Sequence, residues 1–145
     1  MPDILFDFPV AATPDKVFEA VATPDGLPRW WTRTPAEGDP AVGAVWEFDF
    51  GPKFQWQGVV RRFEPGQVVE WELTKADPDW RGTRVRVELE AQPGGLTWVR
   101  FAHEGWAEAG EHYRISAYCG AMYLRLLKHW VQRGETVPYD RRLEI

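Results

Sequence analysis

Residues 13–31 read TPDKVFEAVATPDGLPRWW, and the triplet Thr-Pro-Asp occurs in it twice, at 13–15 and 23–25. Thr13 is placed to cap a helix through its hydroxyl, Pro14 fits a first-turn position where no amide partner is lost, and Asp15 meets the positive end of the helix dipole. Val17, Phe18 and Val21 then share one face. The second triplet stops this helix, because Pro24 disfavours helical geometry at Thr23, and starts the chain in a new direction. Gly26 and Pro28 keep the second helix brief, and Trp30-Trp31 end it with a heavy apolar anchor. Two short helices meeting at an angle are predicted.

On the N-terminal side of this stretch, Ile4 to Val10 alternates as a strand does, and Pro9 places that strand at a sheet edge or terminus. On the C-terminal side the period changes to two. Gly43 to Gly51 sets Trp46, Phe48 and Phe50 against Glu47 and Asp49. Phe54 to Glu64 is the next strand, and Glu64-Pro65-Gly66-Gln67 turns it into Val68 to Thr74, where Val69, Trp71 and Leu73 oppose Glu70 and Glu72. Thr83 to Ala91 sets Val85, Val87 and Leu89 against Arg84, Arg86, Glu88 and Glu90, and Pro93-Gly94-Gly95 leads into a strand from Leu96 to His103. Five strands joined by turns form an antiparallel meander with one wet face and one face that must be covered.

The cover is a helix over Glu111 to Arg133, stopped by Gly134. At 100° per residue Ile115, Tyr118, Cys119, Met122, Leu126 and His129 fall together, and this is the face expected to meet the sheet. The chain is thus read as one α+β domain over residues 1–145: a strand, two short helices, a five-stranded meander and one long helix packed across a sheet of about six strands.

Composition narrows the function. The net charge is −5, from 22 acidic and 17 basic residues, so no bulk positive field draws nucleic acid or anionic lipid. No apolar run reaches membrane-spanning length, and the N-terminal residues MPDILFDFPVAA lack the basic start of a secretory signal. The single cysteine, Cys119, forms no internal disulfide, which agrees with a reducing, cytoplasmic compartment. The outlier is aromatic content: nine Trp, eight Phe and four Tyr exceed what a small core needs, and such rings also line ligand cavities.

The pattern resembles the START-like, helix-grip (SRPBCC) superfamily, and within it proteins similar to the activator of the 90-kDa heat-shock chaperone's ATPase. The residues that carry the resemblance are Ala12-Thr13-Pro14-Asp15-Lys16-Val17-Phe18 and Thr23-Pro24-Asp25-Gly26-Leu27 leading to Trp30-Trp31. Val42-Gly43, Gly58, Glu64-Pro65, Trp71 and His103-x-Gly105 add to it. It implies a V-shaped support made by the two short helices under the long one, and a cavity enclosed between sheet and helix. The chain departs from the family over Tyr118-Cys119-Gly120-Ala121-Met122-Tyr123, where members often carry a tryptophan and spaced leucines, so no relative's ligand carries over.

The leading expectation is a binding protein for an apolar or aromatic small molecule, held by Trp46, Phe48, Trp56, Trp71, Val87, Phe101, Tyr118, Met122, Leu126 and His129. Most of these rings are core in any case. A protein-interaction role, with a chaperone or another protein as partner, is the alternative that the resemblance implies. A cyclase- or aromatase-type enzyme is the third, and His129 with Tyr118 would be its catalytic pair, although a histidine near a helix C-terminus is more often structural. No hydrolase elbow, phosphate loop, dinucleotide fingerprint or zinc motif is present. The three histidines lack metal-ligand spacing, so neither metal nor cofactor is expected, and either a monomer or a homodimer is allowed. His103 shares the parity of Val99 and Phe101 and is read as a satisfied, inward-facing structural histidine, and Cys119 as a small buried hydrophobe.

Overall fold

The computed structural model describes all residues, 1–145. Strand β1 (Ile4–Val10) is followed by helix α1 (Pro14–Ala22) and a 3-10 turn (Leu27–Arg29). Then come β2 (Val45–Asp49), β3 (Gln55–Glu64), β4 (Val68–Lys75), β5 (Arg84–Gln92) and β6 (Leu96–Glu104). Helix α2 (Glu111–Arg133) and a C-terminal 3-10 helix (Tyr139–Glu144) complete the chain. The sheet is antiparallel in the order β1-β6-β5-β4-β3-β2, so β1, with its Pro9, lies at an edge. This is the helix-grip arrangement expected from the residue pattern.

The repeated Thr-Pro-Asp works unequally at its two sites. Thr13 is extended and its side chain makes no cap; its backbone carbonyl accepts from the amides of Lys16 and Val17 instead. Thr23 does the side-chain capping expected of Thr13. Its hydroxyl donates to the Glu19 carbonyl at 2.6 Å and accepts the Gly26 amide at 3.0 Å, closing α1 and turning the chain in one residue. The indole N–H of Trp30 then donates to the Ala20 carbonyl at 2.9 Å, and Trp30 stacks on Trp31 at 5.7 Å. Both tryptophans are buried, and Trp31 reaches Phe48, Phe50 and Trp71 of the sheet.

The period-two strands bury the side they were expected to bury. Trp46, Phe48, Val60, Val69, Trp71, Leu73, Val85, Val87 and Val99 form the core with α1 and with Leu124, Leu126 and Leu127 of α2. The opposite face is a lattice of ion pairs, with Arg86 placed among Glu70, Glu88 and Glu104, and Arg100 paired to Glu90 at 2.6 Å. These cross-strand pairs keep the outer face wet and the register unique.

Helix α2 ends at Gly134 as expected, in the left-handed conformation with its amide donated to the Trp130 carbonyl. The helix is rotated from the face expected, however. Tyr118 is 78% exposed, Ile115 51%, and His129 is also exposed. Of the expected face Cys119, Met122 and Leu126 do turn inward, and they are joined on the sheet side by Ser116, Gly120, Tyr123, Leu124 and Leu127. Gly120 faces Phe6 of β1, and a Cβ built there would meet its ring at an ordinary 3.9 Å.

Candidate functional site

Where the N-terminal half of α2 bridges the sheet, the two layers leave a cavity of about 200 Å³. Its sheet wall is Val85, Phe101 and His103, positioned by a register that pairs Val85 with His103 and Val87 with Phe101. Ile4 of β1 and Trp31 also line it, and Ser116, Cys119, Gly120 and Tyr123 form the helix wall. The remaining side is Trp80, from the loop between β4 and β5.

Trp80 joins the walls. Its indole N–H donates to Ser116 Oγ at 3.1 Å, and its ring lies against His103 at 4.5 Å and Trp56 at 4.8 Å. Trp106 packs on His103 at 4.6 Å and meets Trp80 edge-on at 6.0 Å. At the mouth stand His112 and Ile115, which line both the cavity and an adjoining solvent-facing groove of about 390 Å³. His112 Nδ1 is 3.3 Å from Asp79 Oδ2.

The protonation state of His103 follows from one hydroxyl. Thr83 has a single proton and donates it to the Trp80 carbonyl at 2.5 Å, so at 2.7 Å from His103 Nε2 its oxygen can only accept. The ring is therefore the Nε2–H tautomer, and Nδ1 is its acceptor nitrogen. Burial, with a smaller contribution from the charge of His112, lowers the His103 pKa to about 3. Burial also raises Cys119. Burial and the neighbouring Tyr139 push Tyr123 up to about 12, against the opposing influence of Arg142. Desolvation thus keeps base, thiol and phenol uncharged at neutral pH. A protonated thiol is a poor nucleophile, so the wall is suited to binding rather than covalent chemistry.

This burial has a measurable consequence. Above an unfolded-state value of 6.5 His103 is neutral in both states and contributes no pH dependence. Below it the unfolded chain takes a proton that the folded ring refuses until about pH 3, so stability is lost as pH falls through that window. Urea unfolding at pH 5 and pH 8 is expected to show the wild type about 2 kcal/mol less stable at pH 5 through this group. In His103→Gln the same difference should shrink by that amount; an unaltered pH slope would contradict the neutral buried imidazole.

Of the residues singled out in the sequence for ligand contact, Phe101 lines the cavity. Trp46, Phe48, Trp71, Val87 and Leu126 are packed into the core, and Trp56 and Met122 are partly buried beside it. Tyr118 and His129 do not face inward: both lie on the solvent side of α2, eleven residues or about 16 Å apart along the axis, too far to act as a pair. The residues that sequence reasoning did not bring to the site are chiefly Trp80, Ser116 and Tyr123. Trp80 sits in a loop, where no period reports orientation, and Ser116 and Tyr123 lie beside the helix face that the period picks out. The inward parity of His103 was legible. No three His, Cys, Asp or Glu side chains cluster as a metal site, and no helix is long and apolar enough to cross a membrane.

The sequence model of a family described as activator of Hsp90 ATPase homolog 1-like protein matches residues 11–132. Among solved structures, the chain is similar to the solution structure of the Aha1 dimer from Colwellia psychrerythraea, with 29% identity, a TM-score of 0.82, and 93% of this chain and 99% of that one covered. It is similar in fold to SSP2350 from Staphylococcus saprophyticus, at 17% identity, a TM-score of 0.77, and 94% and 96% coverage. CalU16 from Micromonospora echinospora shares the fold at 20% identity, with a TM-score of 0.74 and coverage of 98% and 84%. Comparison with curated protein sequences gives no match.

Proposed function

We propose that this chain, which belongs to the family of activator of Hsp90 ATPase homolog 1-like proteins, binds a small apolar or aromatic molecule in the space between its sheet and α2. The observation that carries this reading is the cavity itself: 8 of its 12 lining residues are hydrophobic, and its few polar groups converge from strand and helix. A well-packed interior rarely leaves such a space unfilled without use, since each void costs packing energy.

The reading is tested by filling the space from the helix side. Native mass spectrometry of freshly purified protein is expected to show an added mass that leaves on denaturation, and Cys119→Leu, whose longer side chain enters the cavity, is expected to lack it. A folded Cys119→Leu variant that keeps the added mass would place the ligand elsewhere.

A second reading is a protein-binding role, and the observation that favours it is the exposure of Ile115 and Tyr118 on α2. The Colwellia relative is a dimer, so a second copy is one partner of this kind, and the same native spectrum reports it. The family description names activation of Hsp90's ATPase, and stimulation of that chaperone's ATP hydrolysis by the purified chain would favour the chaperone instead.

A further inference from the structure

The size of the cavity and the chemistry of its wall narrow what it can hold. We propose that the occupant is an uncharged aromatic compound of one or two rings bearing a single hydroxyl or N–H group, of the phenol or indole kind, whose polar hydrogen is received by His103 Nδ1. This inference rests on the ligand-binding reading above and adds the chemical class.

Volume sets the upper limit. An engineered apolar cavity of about 150 Å³ in another protein holds benzene, so about 200 Å³ accommodates one ring with a substituent or two fused rings. Three fused rings or a long acyl chain exceed it. Shape favours flat molecules, because Trp31, Trp80 and Phe101 present ring surfaces to the same space, and aromatic partners gain from offset or edge-on contacts with such rings.

Charge sets the second limit. The lining includes no Lys, Arg, Asp or Glu, so an ionised ligand would lose its hydration with no counter-ion in return. The titratable groups that face the space from each element are His103 on β6, His112, Cys119 and Tyr123 on α2, with Asp79 behind His112 at the mouth.

Polarity sets the third. Thr83 commits His103 Nε2 as a donor, which makes the δ nitrogen the acceptor of a ring that lines the sheet wall. On the opposite wall Ser116 Oγ already accepts the Trp80 N–H, so its own proton is available to a ligand oxygen. A wholly apolar ring offers that nitrogen no hydrogen, whereas a phenolic O–H or an indole N–H does.

The test is a titration of the full chain, followed by calorimetry and by ligand-observed NMR, with five probes: indole, indene, phenol, benzoate and pyren-1-ol. Indole and phenol are expected to bind, indene about tenfold more weakly than indole for want of the N–H, and benzoate and pyrenol not to bind. His103→Gln keeps a donor toward Thr83 while withdrawing the δ nitrogen, so it should narrow the indole-to-indene ratio to less than about threefold. Cys119→Leu should abolish binding of all probes. If it does not fold, Gly120→Ala is the milder filling, since its new methyl meets nothing closer than Phe6 at 3.9 Å, and it should weaken indole.

Equal binding of indole and indene, or binding of benzoate or pyrenol that Cys119→Leu abolishes, would overturn the ligand class and leave the cavity reading standing. Probe binding unchanged in a folded Cys119→Leu protein would overturn the cavity reading with it. Failure of every probe to bind would also overturn the class, and the native mass comparison then decides separately whether the cavity is occupied by something else.

Discussion

Arg142→Met is expected to lower the unfolding free energy by about 3 kcal/mol, since a buried acceptor left without its donor costs about 1–3 kcal/mol and this side chain serves several. Arg142 is 2% exposed, and its guanidinium meets no carboxylate. It donates through Nη2 to the Pro28 carbonyl at 2.7 Å, through Nη1 to Trp31 and Thr32 at 3.2 and 3.4 Å, and through Nε to Val137 at 3.0 Å. Pro28, Trp31 and Thr32 belong to the short turn that follows α1, whose carbonyls are otherwise under-partnered at its C-terminal end.

One planar fork thus ties the C-terminal 3-10 helix to the support on which Trp31, a wall of the cavity, is mounted. Burial lowers the Arg142 pKa, although nearby Tyr123 and Tyr139 act in the opposite sense, and a guanidinium stays protonated. Methionine fills similar volume but supplies no donor, so these carbonyls lose their partner in a place water reaches poorly. Lysine should recover little, because a single ammonium cannot span acceptors arranged for a fork. Urea denaturation of the two variants checks this: a loss below about 1 kcal/mol in Arg142→Met would mean that water replaces the guanidinium without cost.

Gly26→Ala is the second large effect, with an expected loss of about 3 kcal/mol or more. A methyl there would sit 2.2 Å from the Glu19 carbonyl oxygen and 2.8 Å from the Cα of Ala20. Both are backbone atoms of α1, so no side chain can swing aside. Relief requires moving the turn off the helix, which strains the hydrogen bonds of Thr23 to Glu19 and Gly26 and of Trp30 to Ala20. Gly120→Ala is the internal control. It adds the same methyl in mid-helix with ordinary contact distances, and it should raise stability by about 0.5–1 kcal/mol. Thermal unfolding of both proteins in one buffer separates them by sign. Near-neutral behaviour of Gly26→Ala would show that the turn can shift without disturbing α1.

Much of the architecture was legible because local physics decides it. Proline after Thr23 ends a helix wherever it occurs, alternation in β4 and β5 marks two faces, and Pro9 marks an edge. The site was less legible. Along α2 the period places Ile115, Tyr118, Cys119, Met122, Leu126 and His129 on one inward face. Cys119, Met122 and Leu126 keep that place, whereas Tyr118 and His129 face solvent and Ser116, Gly120 and Tyr123 share the inner side, a rotation that the period alone does not fix. Thr13 shows the same limit on a smaller scale, since it holds the extended backbone usual for a cap and yet its hydroxyl makes no cap bond.

What the sequence by itself determined was the order of elements, the covered face of the sheet and the inward parity of His103, all consequences of short-range periodicity and of residues that restrict their own backbone. What only the tertiary structure decided was the rotation of α2, the placement of Trp80 against Ser116 and His103, and the tie of Arg142 to the turn beneath Trp31. Each is a contact between residues 20 to more than 100 positions apart, set by how volumes and hydrogen-bond partners close in space, and a period along the chain carries no information about that closure.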